Sequence, residues 1–408
     1  MHDEAVELAL PEATWAAAEL MAVMLVLPWA PECAGGVSIV VKALARQFLS
    51  HSVRTSVLVS EWEARRPHGA VDGTVRFRFA LVPATGPLGL LKAAVTAPAR
   101  LWRTWALLRR DKITAVNFHY PGLDALGVAV LKLFGLFRGR LLLSFHGTDA
   151  RAPEGWVQRS LWRLLLSQTD GVTACSQSLA TQVAKALSLP AHRVTVLYNG
   201  VDAEQFAPGL PRGAEECPPL PARYIVSVGS FIPRKAHRLL LEAFGELAAD
   251  HPDVSLVIVG MDGQERQPLL QRAAAMGLAD RLVCLTNQSQ DHVAEIVSNA
   301  ALSVQPSHAE PFGLAVIEAA ACGVPIVASA VGGHLEILQD GKTALLFPAG
   351  DAATCSRQMR RLLEDPALAN AMADRARSIT VTRFGWPSCA TGYMSLMLPA
   401  SGARAQHG

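Results

Sequence analysis

The stretch Ser307–Glu336 reads SHAEPFGLAVIEAAACGVPIVASAVGGHLE. Glu310 stands on a loop just ahead of Pro311-Phe312-Gly313, and Glu318 follows eight residues later inside an apolar helical pattern. The pattern ends at Cys322-Gly323, a short strand is expected over Val324–Ser329, and Gly332-Gly333 makes the next turn. A helix that opens at a glycine offers unpaired backbone N–H groups to an anion. Carboxylates on the loop and on the helix accept hydrogen bonds from hydroxyls. These are the parts needed to hold a sugar diphosphate. The bland alternative is an ordinary helix–strand unit with a surface glutamate at its start.

Working outward, short β-branched runs alternate with longer amphipathic segments. Strands are expected at Met21–Leu27, Thr55–Val59, Ala115–Phe118, Leu141–Ser144, Gly171–Ala174 and Val194–Leu197. A second set is expected at Tyr224–Val228, Ser255–Val259, Leu282–Leu285, Leu302–Gln305 and Pro325–Ala328. Strand–helix–strand repetition at this spacing argues for parallel sheets covered on both faces. The pattern occurs twice, so the expected fold class is α/β, with two doubly wound Rossmann-like domains facing a cleft. The chain of 408 residues is long enough for two such domains.

The Pro/Gly-rich stretch from Asp202 to Arg223 reads as the linker between them. The expected division is an N-terminal extension 1–20, a first domain 21–205 and a second domain 206–384, followed by a last helix 385–399 and a tail 400–408. One long helix is expected over Ala352–Thr380.

Half of the residues are hydrophobic and 18% are charged, which supplies large cores, and a net charge of +2 gives no signal for nucleic acid. Seven cysteines are scattered without a C-x-x-C pair, which suits a reduced compartment better than a disulfide framework. Glu7, Glu12 and Glu19 interrupt the apolar N-terminus, and no basic leader precedes it, so neither a signal peptide nor a membrane span is expected there.

The spacing Glu310–Glu318, the glycines around it and the strand after it resemble the E-x7-E signature of the retaining glycosyltransferases of family 4, which have the GT-B fold. The resemblance implies a metal-independent enzyme that moves a sugar from a nucleoside-diphosphate sugar to a glycan, polysaccharide or lipid-linked acceptor. The nucleotide sugar is then a substrate, and no cofactor is implied. By the same resemblance Glu310 meets the donor sugar, while Phe312, Gly313 and Leu314 offer backbone N–H groups to sugar and phosphate. Glu318 accepts the ribose hydroxyls. Family chains often cross back to the first domain with a last helix, which is expected here over 385–399.

Other motifs fit the same frame. Val228-Gly229-Ser230-Phe231-Ile232-Pro233-Arg234-Lys235-Ala236-His237 is a strand entering a loop with adjacent Arg and Lys. Arg234 and Lys235 can hold phosphate, the first bidentately and the second as a point charge, and such cations stabilise charge developing on the leaving diphosphate. Family chains often carry Arg where this one has Ser230 and Gly where it has Ala236; Arg234 is read as supplying the missing charge. Gly260 ends another strand and resembles the family turn beside the nucleotide. Asn287–His292 is placed near the base.

In the first half, Gly35-Gly36 follows the first strand and resembles the glycine loop that closes over donor phosphates and sugar. It is not G-x-G-x-x-G, so a nicotinamide fingerprint is absent. His146-Gly147 ends the strand Leu141–Ser144, where ligand crevices of open α/β sheets lie. It resembles the family's active-site histidine, which either donates to a hydroxyl or accepts a proton. Asp149 either positions the acceptor hydroxyl or caps the next helix; the acceptor role is the expected one. Ser176 reads as a helix N-cap, and Asn199-Gly200 as a turn with positive φ. The expected catalytic set is therefore His146, Lys235 and Glu310.

No Asp-x-Asp motif or ligand cluster appears, and no metal is expected. Ala99–Arg110 and Lys132–Arg140 mix Arg, Trp, Phe and Leu at helical spacing. Such a face suits an anionic membrane surface, though more often it is a helix packed on a sheet with arginines reaching outward. The expected location is cytoplasmic, with peripheral membrane contact as an open alternative. Two competing functions are a GT-B nucleotide-sugar epimerase and a non-catalytic sugar-nucleotide-binding protein. The combination of His146, Lys235, Glu310 and Glu318 argues against both.

Overall fold

A computed structural model describes residues 12–29, 35–60, 76–78, 86–213 and 219–398. The first eleven residues of the expected extension and the tail 400–408 lie outside this set. The chain divides into two compact units, 1–198 with 386–408, and 199–385.

In the first unit the strands are β1 (Ala22–Leu27), β2 (Arg54–Val59), β3 (Arg76–Arg78), β4 (Ala115–His119), β5 (Arg140–Phe145), β6 (Gly171–Ala174) and β7 (Val194–Val196). They pair in the order β3-β2-β1-β4-β5-β6-β7, all parallel. Every residue of β1 and β4 is buried; β1 accordingly reads as an unbroken apolar run, whereas β4 carries Asn117 and His119 into the sheet. The order reverses between β1 and β4, so the loops after these two strands diverge and leave a crevice at their carboxyl ends.

The second unit contains β8 (Arg223–Val228), β9 (Val254–Gly260), β10 (Leu282–Thr286), β11 (Leu302–Gln305), β12 (Ile326–Ser329) and β13 (Leu345–Phe347). Their order is β10-β9-β8-β11-β12-β13, again parallel, with the reversal between β8 and β11. Ile225, Leu240, Phe244, Ile258, Val304 and Phe347 form part of its fully buried core. Each such side chain contributes roughly 1.5–3 kcal/mol on burial.

Three sequence expectations need correction. The first unit ends at Tyr198 rather than at 205, because Val201 is tied to the far end of the second unit: its N–H donates to the Phe384 carbonyl at 2.8 Å, and it bridges Gly385. That pairing holds the backbone extended, so neither Asn199 nor Gly200 takes the expected positive φ. The last helix needs no correction: it runs Trp386–Met397, inside the expected 385–399, and belongs to the first unit. The long helix expected over Ala352–Thr380 is two helices, Ala352–Glu364 and Pro366–Arg383. Pro366 cannot continue a helix but suits its first turn, and the Asp365 carboxylate accepts from Leu368 N–H at 2.9 Å as the new N-cap.

Candidate functional site

In the second unit the residues singled out from sequence come from loops at the carboxyl ends of β8, β9 and β11, two of which flank the reversal point. Lys235 follows β8 and Glu310 follows β11. The Lys235 Nζ donates to Glu310 Oε2 at 2.6 Å, and Ser307 Oγ donates to the same oxygen at 3.0 Å. Both side chains of the ion pair are largely covered, at 16% and 10% exposure. Burial opposes ionisation of Glu310, but Lys235, His334 and Arg234 outweigh it and hold the carboxyl down at about 2. Glu310 is thus a fixed carboxylate at any working pH.

Glycines explain how the loops come so close. A Cβ at Gly260 would lie 2.0 Å from the Gly229 carbonyl oxygen, and one at Gly263 would lie 2.3 Å from that of Phe231. Gly260 therefore lets the β8 and β9 loops pack backbone to backbone. The Lys235 stem lies across Gly229, where a Cβ would meet its Cδ at 3.0 Å. Ala236 takes a left-handed conformation, φ 52°, that glycine adopts without strain.

The helix Leu314–Ala321 opens at Gly313, whose φ of 117° is open to glycine and costly to other residues. Leu314 is its first residue, in the turn whose N–H groups have no intrahelical partner. Phe312 is an anchor: its ring is buried and meets Phe384 edge-on at 5.8 Å. The Gly332-Gly333 turn docks on this loop, with Gly333 N–H donating to the Glu310 carbonyl at 2.8 Å. Sequence reasoning missed two partners here, Ser307 and His334. His334 is buried, its Nδ1 bonds the Ser329 carbonyl at 2.9 Å, and its ring packs where a Gly313 side chain would go. Its position directly after Gly-Gly in the decisive stretch was the available signal.

Glu318 lies on the same helix and is 5% exposed. Burial pushes its carboxyl up to about 7, with Lys235 pulling the other way. Because the folded value exceeds the unfolded one, this group weakens the fold as pH rises from the ordinary carboxylate range through 7. If its ionised form accepts ribose hydroxyls, nucleotide-sugar affinity should rise about tenfold from pH 6 to pH 8. Titration calorimetry of Glu318→Gln should then give weaker binding with a flat pH profile; an equal slope in wild type and variant would remove Glu318 from the site.

In the first unit, Gly35 has φ 150° and precedes the helix Gly36–Ser50, so the glycine pair forms the turn from strand to helix. Trp29 Nε1 donates to Ser38 Oγ at 3.1 Å across this turn. Residues 30–34 of the loop lie outside the described set. His146 follows β5. Its Nε2 is 3.0 Å from Nδ1 of His119, the last residue of β4, and burial lowers the His146 pKa to about 4. Asp149 does not cap the next helix, which starts at Gly155. Instead its carboxylate accepts from the N–H groups of His146 (3.0 and 3.1 Å) and Gly147 (2.6 Å), which fixes the loop and explains Gly147 at φ 150°. Burial raises Asp149 to about 6. Ser176 caps the helix Gln177–Leu187 by accepting from Leu179 N–H at 3.0 Å, as expected.

Two doubly wound units, each with its singled-out residues at the carboxyl ends of parallel strands, define the GT-B glycosyltransferase class. The family model for glycosyl transferases group 1 matches residues 216–379, and that for glycosyltransferase family 4 matches residues 34–205. The chain belongs to the family 4 glycosyltransferases, enzymes that transfer glycosyl groups. It is 29% identical over 269 residues to a glycogen synthase of Mycobacterium tuberculosis, covering 64% of this chain and 63% of that protein. It is 27% identical over 378 residues to a D-inositol 3-phosphate glycosyltransferase of Nocardiopsis dassonvillei, covering 86% and 87%. The fold is shared with Anabaena HepE in complex with UDP and glucose, at a TM-score of 0.70, 20% identity, and coverage of 92% of this chain and 98% of that one.

Proposed function

We propose that this chain transfers a sugar, with retention of anomeric configuration, from a nucleoside-diphosphate sugar to a hydroxyl of a glycan or lipid-linked acceptor. The observation that carries this reading is the Lys235–Glu310 pair at 2.6 Å beside the switch point of the second sheet. Lys235, with Arg234, faces the charge that develops on the diphosphate as the glycosidic bond breaks. Among the described residues both side-chain hydrogen bonds of Glu310 fall on Oε2, which leaves Oε1 to accept from a sugar hydroxyl. Phe312, Gly313 and Leu314 present the helix start to phosphate, and Glu318 takes the ribose. Neither glutamate acts as nucleophile; the acceptor hydroxyl attacks on the face the diphosphate leaves, which takes up its proton. Gly35 and Gly36, His146 and Asp149 serve the sugar and acceptor side. The cationic loop takes the place of a metal. The test is release of nucleoside diphosphate from a sugar nucleotide that depends on added acceptor, with the product anomer read by NMR. Hydrolysis without any transfer, or an inverted product, would contradict this reading.

A lipid-linked acceptor has its own support. The helices Gly86–Arg110, Leu126–Leu133 and Gly155–Ser167 pack side by side in the first unit. Leu20 apart, the exposed large apolar side chains described in that unit all lie on these helices or the turn after the second. Trp102 is 64% exposed, Phe134 72% and Trp156 76%. Exposed Arg103, Arg109, Arg138, Arg159 and Arg163 stand among them. Trp105, expected at this face, is only half exposed and carries the Arg109 guanidinium over its ring at 5.0 Å. No helix among the described residues is long and apolar enough to cross a membrane. The layer has the composition that binds anionic headgroups from one side. The protein should therefore sediment with phosphatidylglycerol-containing vesicles at low salt and release at high salt. Trp156→Ala combined with Arg159→Glu and Arg163→Glu should abolish sedimentation. Indifference of the wild type to such vesicles would favour a soluble acceptor.

A further inference from the structure

We propose that Asn117 and His119 are positioning residues that hold His146 in the tautomer with its proton on Nδ1, so that His146 serves as a hydrogen-bond donor to a substrate hydroxyl and not as a base. This deepens the reading of His146 as an active-site residue and rests on it.

The proton positions follow from a chain of buried groups. Thr173 Oγ1 donates to Ser144 Oγ at 2.9 Å, and Ser144 Oγ donates to Asn117 Oδ1 at 2.8 Å. With its oxygen so used, the Asn117 amide turns Nδ2 to His119 Nε2 at 3.0 Å. An amide nitrogen only donates, so His119 Nε2 is the bare nitrogen and the proton sits on Nδ1. His119 Nδ1 is 3.0 Å from His146 Nε2 and donates to it. His146 Nε2 is thereby occupied as an acceptor, and its own proton must sit on Nδ1, which has no partner among the described residues.

The relay is assembled by sheet register. His119 on β4 lies opposite Ser144 on β5, and Ser144 lies opposite Thr173 on β6, so three neighbouring strands each contribute a polar side chain. Asn117, His119, Ser144 and Thr173 are all at most 1% exposed. Four polar groups sunk in an apolar sheet would weaken it unless each were satisfied, and here each has its partner. Burial, with the neighbouring His146 adding to it, holds His119 well below its ordinary pKa, so the chain stays neutral at working pH. A neutral imidazole whose Nε2 is already bonded has no nitrogen left to take a proton from the acceptor.

Long-range 1H–15N NMR of 15N-histidine-labelled full-length protein reads the tautomers directly. Expected are Nδ1-protonated rings for both His119 and His146, assigned by the signals lost in His119→Gln and His146→Gln. Asn117→Asp replaces the donor to His119 Nε2 by an acceptor. It should reverse the chain and move the proton of both rings to Nε2, a change that mere loss of packing would not produce. An Nε2-protonated or a charged His146 in the wild type overturns the proposal, and does so even if the Asp variant fails to fold. Unchanged tautomers in a folded Asn117→Asp protein overturn it as well. The underlying reading fails separately: expected tautomers combined with full turnover in His146→Gln would remove His146 from the reaction and the relay's purpose with it.

Discussion

Lys235→Ala is expected to lose roughly 10²- to 10³-fold in turnover, the equivalent of ~2.7–4 kcal/mol, as for removal of a preorganised group that stabilises developing charge. The loss has a second component in the free protein. Lys235 is the nearest cation to Glu310, and its ammonium bonds the carboxylate at 2.6 Å. Breaking a covered pair from one side leaves an uncompensated charge at a cost of about 3–5 kcal/mol. The Glu310 carboxyl should then climb from about 2, because burial, now less opposed, favours the neutral acid. A protonated Glu310 is a poorer acceptor for a sugar hydroxyl. Turnover, thermal stability and the Glu310 titration should therefore change together. Lys235→Arg, which keeps the charge but not the compact point geometry, should recover stability more than turnover. Near-normal turnover in a folded Lys235→Ala protein would remove the cation from the mechanism.

Gly333→Ala should have a large effect for a methyl-sized change. The added Cβ would lie 2.1 Å from the Phe312 carbonyl oxygen and 2.4 Å from its Cα, and backbone cannot swing aside as a long side chain does. Gly333 has an ordinary helical φ of −62°, so the effect would come from contact and not from backbone strain. The Glu310–Gly313 loop must move off the turn, breaking the 2.8 Å bond from Gly333 N–H to the Glu310 carbonyl. Overpacking of this kind costs about 1–3 kcal/mol. Donor binding should fall further still, because Glu310 and the Gly313 helix start are displaced together. Gly127→Ala is the control: it is helical with nothing within 4 Å of the new methyl, and should stabilise by about 0.5–1 kcal/mol. Equal thermal shifts for the two variants would contradict the close-approach account.

What could be read from sequence follows from how far apart the interacting residues lie. Strands buried on both faces show as apolar runs; β1 is unbroken and β9 interrupted only at Ser255, and both were visible for that reason. Arg76–Arg78 and Leu345–Phe347 were not: each is a three-residue edge strand without a β-branched residue, unlike the equally short Val194–Val196. The break at Asp365-Pro366 was legible in its cap chemistry and was overrun by the amphipathic pattern on either side. Glu310, Gly313 and Glu318 were legible because one local stretch carries them all. The pairing of Lys235 with Glu310 spans 75 residues, and that of His119 with His146 spans 27; such contacts are made by strand order. The Gly332-Gly333 turn was recognised as a turn, but its purpose, docking on the Glu310 loop, appears only once β11 and β12 are paired.

The central claim is that the loops around Lys235, Glu310 and Glu318 hold the nucleoside diphosphate of a sugar donor without a metal. It is tested most directly by titration calorimetry of the wild-type protein with UDP-, GDP- and ADP-sugars in buffer containing EDTA. The account predicts saturable binding of at least one of these donors, weakened in Lys235→Ala and in Glu318→Gln. Binding of none of them, or binding that appears only when Mg2+ or Mn2+ replaces EDTA, would contradict it.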